Sequence, residues 1–178
     1  IEYFIKSQLP TNLLNKLELI HFACTSEDIN NLAYGLMLKQ ARQQCILPVL
    51  AELITKLRVM ANEYANLAML ARTHGQAASP TTLGKEFAIF AHRMQTQYDN
   101  LANASINGKF NGASGNYNTL VFAYPEINWQ NISQSFVTNL GLAWNSHTTQ
   151  SEPHDYLATI FNLVAQINNI LIDLVRDI

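Results

Sequence analysis

Apolar residues recur at helical spacing in three long stretches of this chain, and no stretch alternates as a half-buried strand does. The first stripe runs through Ile46, Leu50, Leu53, Ile54, Leu57, Met60, Ala61 and Tyr64, inside a helix expected over roughly residues 28 to 66. Pro48 interrupts it. An interior proline removes a hydrogen bond and crowds the carbonyl four residues back, so this helix is expected to kink or divide. The second stripe holds Leu83, Phe87, Phe90, Ala91, Met94, Tyr98, Leu101 and Ala102. The third holds Leu157, Ile160, Phe161, Val164, Ile167, Leu171, Leu174, Val175 and Ile178. A shorter helix is expected over residues 129 to 140, and residues 107 to 118 form the clearest loop. Long helices joined by Gly/Asn-rich loops predict an all-α fold, a long-helix bundle.

A chain of 178 residues, 48% of them hydrophobic, can bury a sizeable core. Charged residues make up only 13%, against a usual ~25%, and nineteen asparagines supply much of the polarity. So little charge predicts that much of the surface is buried in an assembly, with ordinary compositional drift as the alternative. The net charge of −2 leaves no basic footprint for nucleic acid. Cys24 and Cys45 are too few for a disulfide framework and match no metal-ligand spacing. No segment reads as a membrane span or a secretory leader, and a reducing cytoplasm is the expected setting. The chain begins without Met and ends at Ile178 with a helical pattern still running. It is therefore expected to be a piece of a longer protein.

The chemistry-bearing residues gather at helix ends. Residues 72 to 84, Arg-Thr-His-Gly-Gln-Ala-Ala-Ser-Pro-Thr-Thr-Leu-Gly, set the imidazole of His74 among hydroxyls and the amide of Gln76. Imidazole exchanges a proton near neutral pH, and such neighbours suit a ligand rich in carboxylate or phosphate oxygens. Pro80 with Thr81 is expected to start the next helix. Taken alone, the run reads slightly better as an ordinary helix-to-helix turn with a surface histidine; the similar polar site upstream reverses that balance. Upstream, Thr25 or Ser26 can cap a helix with Asp28 in its first turn. The same helix N-terminus, with two hydroxyls and His21 nearby, can hold an anion. Downstream, Thr148, Thr149 and Gln150 can contact a ligand, or the run from Ser151 to Pro153 can simply open the last helix. His154 reads as structural. The Gly-rich loop at 108 to 115 lets a backbone approach a phosphate but lacks the context of a nucleotide-binding loop.

Together these stretches resemble the fumarase/aspartase superfamily, and within it the bacterial adenylosuccinate lyase family. Thr25-Ser26-Glu27-Asp28 is similar to the superfamily's first shared region, and the run from Thr73 through Pro80 to Glu86 is similar to its second. Lys109-Phe110-Asn111-Gly112-Ala113, continuing to Asn118, and Thr148-Thr149-Gln150, continuing to Tyr156, look like the narrower family. A flexible serine-bearing loop of the family and a histidine that would precede Ile1 are absent. The resemblance implies residues 1–20 as the end of an N-terminal helical domain and 21–178 as part of a central bundle domain. It implies C–N cleavage by β-elimination, of adenylosuccinate to AMP and fumarate and of SAICAR to AICAR and fumarate, without metal or organic cofactor. Carried over, His74 is the general acid, Thr25, Ser26 and Thr73 hold succinyl carboxylate oxygens, and Gln150 orients the substrate. Gln76, Lys85 and Asn116 are secondary candidates. The base is a serine on the absent loop. A homotetramer with shared active sites is implied as well. Another superfamily chemistry, and a non-catalytic scaffold built on the same fold, are the rival expectations.

Overall fold

The computed structural model describes residues 1–178. Two compact units account for the chain. One comprises residues 1–37 and 105–154, the other 38–104 and 155–178.

In the first unit, α1 (Glu2–Gln8) and a 3-10 segment (Thr11–Leu19) lead to the start of α2 (Ser26–Ala41). Two-residue strands β3 (Asn107–Gly108) and β4 (Ala143–Trp144) pair in parallel. Between them lie α5 (Asn118–Ala123) and α6 (Trp129–Asn139). Leu32, Ile106, Tyr117, Leu120, Val137 and Leu142 are buried here. Gly108 permits the packing: a Cβ on it would lie 2.6 Å from Leu32 Cδ2. The core of this unit is unusually polar, because Asp28, Asn31, Lys109, Asn111, Ser133 and Glu152 are buried as well.

The second unit carries the long helices α3 (Leu47–Glu63), α4 (Leu83–Asn103) and α7 (Asp155–Asp177). The expected division at Pro48 is present. Residues Arg42–Ile46 form a π-helical turn, and Pro48 falls in the first turn of α3. The backbone N–H of Leu47 donates to Arg42 O, five residues back. The extra residue in that turn separates the proline ring from the preceding carbonyls. The bulge also carries Arg42, 8% exposed, whose guanidinium donates to the carbonyls of Leu101 and Ala104 at the end of α4. Burial lowers the pKa of this arginine. Leu50, Ile54 and Leu57 of α3 are buried, as are Phe87, Phe90, Met94 and Leu101 of α4. Gly84 marks a close crossing, since a Cβ there would sit 2.3 Å from Ala61 O.

Two expectations need correction. α7 is long and apolar enough, by length and composition, to cross a membrane, although no such segment was expected. It packs on α4, with Arg93 and Asp173 paired at 2.8 Å. Its apolar residues are not confined to one stripe: Ile160, Ile167, Ile170 and Leu174 are buried, while Phe161, Ile172 and Val175 are exposed. Pro80 and Thr81 do not start a helix. They lie in β2 (Gln76–Thr82), which pairs antiparallel with β1 (Ala68–Thr73). The helix instead starts at Leu83, with the Thr82 side chain accepting from Lys85 N–H at 3.2 Å.

Candidate active site

In the first unit the candidate residues converge around one carboxylate. Asp28 stands in the first turn of α2, and its Oδ2 accepts from Thr25 N–H at 2.9 Å, as the acidic residue of a capping box does. This is the Asp28 half of the expected cap, and the carboxylate does more. Asp28 Oδ1 accepts from Asn111 N–H at 3.0 Å, and Oδ2 accepts from Gly112 N–H at 3.2 Å. Lys109 Nζ lies 2.9 Å from Oδ1, and both side chains are fully buried. The anion cradled by the Gly-rich loop is thus the protein's own Asp28. Asn31 adds a second tie: its Oδ1 accepts from Lys109 N–H at 2.9 Å and its Nδ2 donates to Lys109 O at 3.1 Å.

The same loop fixes the downstream stretch. Asn111 Nδ2 donates to Thr148 Oγ1 at 2.7 Å, and Thr148 Oγ1 donates in turn to Thr149 O at 3.1 Å. Gly115, at φ +80°, presses against this stretch so closely that a Cβ would meet Thr148 O at 2.0 Å. Gln150 Nε2 then donates to Thr25 Oγ1 at 3.3 Å, joining two predicted ligands 125 residues apart. Ser26 follows, exposed, as the first residue of α2. His154, at φ +62°, lies 3.3 Å from Glu27 Oε1 and 3.4 Å from Glu152 Oε2, and Glu152 accepts from Asn145 Nδ2 at 2.9 Å. His154 therefore links the first and last motif stretches structurally, as expected. A cleft of about 730 Å³ adjoins, lined by Gly115, Asn116, Gln130, His147, Thr148 and Thr149 among others.

The buried charges of the region are balanced within it. The negative charge of Asp28 is matched by Lys109. Burial pushes the Cys24 thiol pKa up, and the Asp28 carboxylate pushes it further the same way. His21 stands apart, exposed, with Nδ1 3.9 Å from Glu2 Oε2.

His74 sits in the second unit, at the tip of the β1–β2 hairpin. Thr73 pairs with Gln76, so His74 and Gly75 are the two loop residues. Their φ angles are +52° and +72°, the left-handed pair that a tight hairpin turn of this length requires. Glycine fits that conformation freely and histidine tolerates it better than most side chains. Thr73, His74 and Gln76 are all exposed. A bulge sets Ala78 and Ser79 opposite Ala71. Lys85, further along, is 3.4 Å from Glu86 and lines a second cleft with Arg72, Thr73 and Phe87. Sequence reasoning missed the hairpin itself, as well as the buried roles of Asn31, Lys109 and Asn111. The only signal for the hairpin was a residue–Gly pair within a short gap between two helices.

The chain belongs to the lyase family, whose model matches residues 1–178. It is 52% identical over 180 residues to the adenylosuccinate lyase of Escherichia coli (strain K12), covering 100% of this chain and 40% of that protein. Identity to the adenylosuccinate lyase of Haemophilus influenzae is 50% over 180 residues, again covering 100% of this chain and 40% of the relative. The resemblance drawn from the motifs is thereby borne out. The chain spans about two fifths of the length of these relatives. Among solved structures, the fold matches the 3-carboxy-cis,cis-muconate lactonizing enzyme of Pseudomonas putida with a TM-score of 0.78 at 21% identity, covering 99% of this chain and 39% of that one. It matches a fumarate lyase from Mesorhizobium sp. BNC1 with a TM-score of 0.74 at 20% identity, covering 90% of this chain and 37% of that one.

Proposed function

We propose that the full-length protein is a C–N lyase that splits adenylosuccinate to AMP and fumarate, and SAICAR to AICAR and fumarate, by β-elimination in purine nucleotide synthesis. The observation that carries this reading is the hydrogen bond between Gln150 and Thr25, which makes one polar surface of two distant motifs. Its chemistry follows from what elimination requires. A proton leaves the carbon next to a carboxylate, so negative charge grows on that carboxylate as the bond breaks. Fixed donors already aimed at it lower the barrier more than water, which has to reorient. Thr25, Ser26 and Thr73 are assigned to those oxygens, and Gln150 to orienting the rest of the substrate. Because Thr25 Oγ1 accepts from Gln150, its own O–H is free to donate to an anion.

The departing nitrogen needs a proton as its bond to carbon breaks. His74 is assigned that role, with Gln76 as a weaker candidate for orienting it. A side chain titrating near neutral pH serves as a general acid there with little tuning. Held in one geometry, the proton transfers become effectively intramolecular. The base belongs to a serine outside residues 1–178, and the division at residue 20 belongs to this same reading.

The exposed His74 hairpin and the apolar residues on the outside of α7 support a homotetramer whose active sites combine different copies. The setting assigned is the cytoplasm, with no nucleic-acid or membrane partner and no metal or organic cofactor. A substrate panel tests the assignment. The full-length protein is expected to release fumarate from adenylosuccinate, with the accompanying ultraviolet change, and not from argininosuccinate, malate or aspartate. Turnover of one of the other three alone would reject it.

A further inference from the structure

Asp28 is bonded to both sides of the Thr25–Gln150 contact. Its Oδ2 holds Thr25 by the backbone N–H, and its Oδ1 holds the backbone N–H of Asn111. Asn111, fully buried, passes that constraint outward through its amide to Thr148 Oγ1, two residues before Gln150. Thr148 closes the chain of bonds on the carbonyl of Thr149. Gly115 backs the same two residues from the other side, where no side chain would fit. Gln150 itself is exposed, and its one protein partner among these bonds is Thr25. A long exposed amide held by a single 3.3 Å bond has several rotamers to lose on binding a ligand. What restricts it is the backbone to which it is attached.

We propose that Asn111 and Thr148 are positioning residues. They form a relay from the Asp28 carboxylate that fixes the backbone at 148–150, so that Gln150 is already aimed before substrate arrives. This rests on the reading of Gln150 as a substrate ligand. Neither Asn111 nor Thr148 touches substrate in this account. Their effect passes through Gln150 and disappears when Gln150 has no amide.

A double-mutant cycle in the full-length protein tests this, with adenylosuccinate turnover as the readout and thermal unfolding alongside. Thr148→Val keeps the shape and removes the hydroxyl. It is expected to raise KM roughly tenfold with kcat little changed, as lost uniform binding does. The unfolding midpoint should fall modestly, because the buried Asn111 amide loses its acceptor, and Thr148→Ser should keep both KM and midpoint near the parent. Gln150→Ala should raise KM at least as much, and adding Thr148→Val to it should change nothing further. Independent, multiplying effects of the two substitutions would overturn the positioning role, as would a parent-like KM in Thr148→Val. A Gln150→Ala variant with unaltered kcat/KM would instead remove Gln150 from the substrate site, and the relay would fall with it.

Discussion

The two motif regions are built in opposite ways. The Thr25–Gln150 region is internally complete: one buried carboxylate collects donors from two distant segments of chain, and a buried ammonium balances its charge. The His74 hairpin has its two strands and a tight turn, and its motif side chains stand in solvent. A region of the first kind fixes where a ligand sits. A region of the second kind keeps its shape at the turn but leaves its chemistry to whatever meets it. Substitutions in the buried ion pair of the first region should therefore cost stability, whereas substitutions of the exposed side chains of the hairpin should cost turnover and leave stability alone.

The largest effect is expected at the hairpin. His74→Asn keeps a side chain that tolerates positive φ and removes the imidazole. The kcat of the full-length protein should fall by about 10²- to 10⁴-fold, the range of general acid catalysis. Its stability should stay within about 0.5 kcal/mol of the parent, as for other exposed positions. A variant that kept its rate would break the contrast at once. In the other region Lys109→Met leaves the Asp28 carboxylate buried without its cation, and a loss of about 3–5 kcal/mol is expected in urea unfolding. Parent-like stability there would mean that the ion pair is not the centre of the region.

A smaller loss tests the frame that carries the hairpin. Gly84→Ala places a methyl against the Ala61 carbonyl, where α4 meets the end of α3. Overpacking of this kind costs about 1–3 kcal/mol, read as a lower denaturant midpoint. The smallest effect concerns Cys24, next to Thr25. With its pKa raised by burial, less of the reactive thiolate is present at a given pH. Iodoacetamide should modify the exposed Cys45 first, with site occupancy followed by mass spectrometry. The rate at Cys24 should keep climbing as pH passes the ordinary thiol range. Equal rates at the two cysteines would argue against the packing around Thr25.

The long helices were legible because their burial is periodic: Leu50, Ile54 and Leu57, and Phe87, Phe90 and Met94, are buried as the stripes require. Pro48 marked the break between α2 and α3, although nothing local announced that a π turn would absorb it. The hairpin at residues 68–82 was not legible, because both its faces are largely exposed and so leave no alternation to read. Asp28 was read as a helix cap since capping is local in sequence. Its other partners, Lys109, Asn111 and Gly112, lie more than 80 residues away. The glycines at 112 and 115 signalled a loop with free N–H groups, and only the fold reveals that those at Asn111 and Gly112 serve an internal anion.

The central claim is that two differently built regions make one active site, contributed by different copies of the protein. Mixing the His74→Asn and Gln150→Ala variants of the full-length protein, after joint unfolding and refolding, tests it most directly. At substrate concentrations well below KM, the account predicts that adenylosuccinate turnover exceeds that of either variant refolded alone, because some sites then draw an intact His74 from one copy and an intact Gln150 from another. Turnover that stays at the level of the separate variants in mixed oligomers would contradict it.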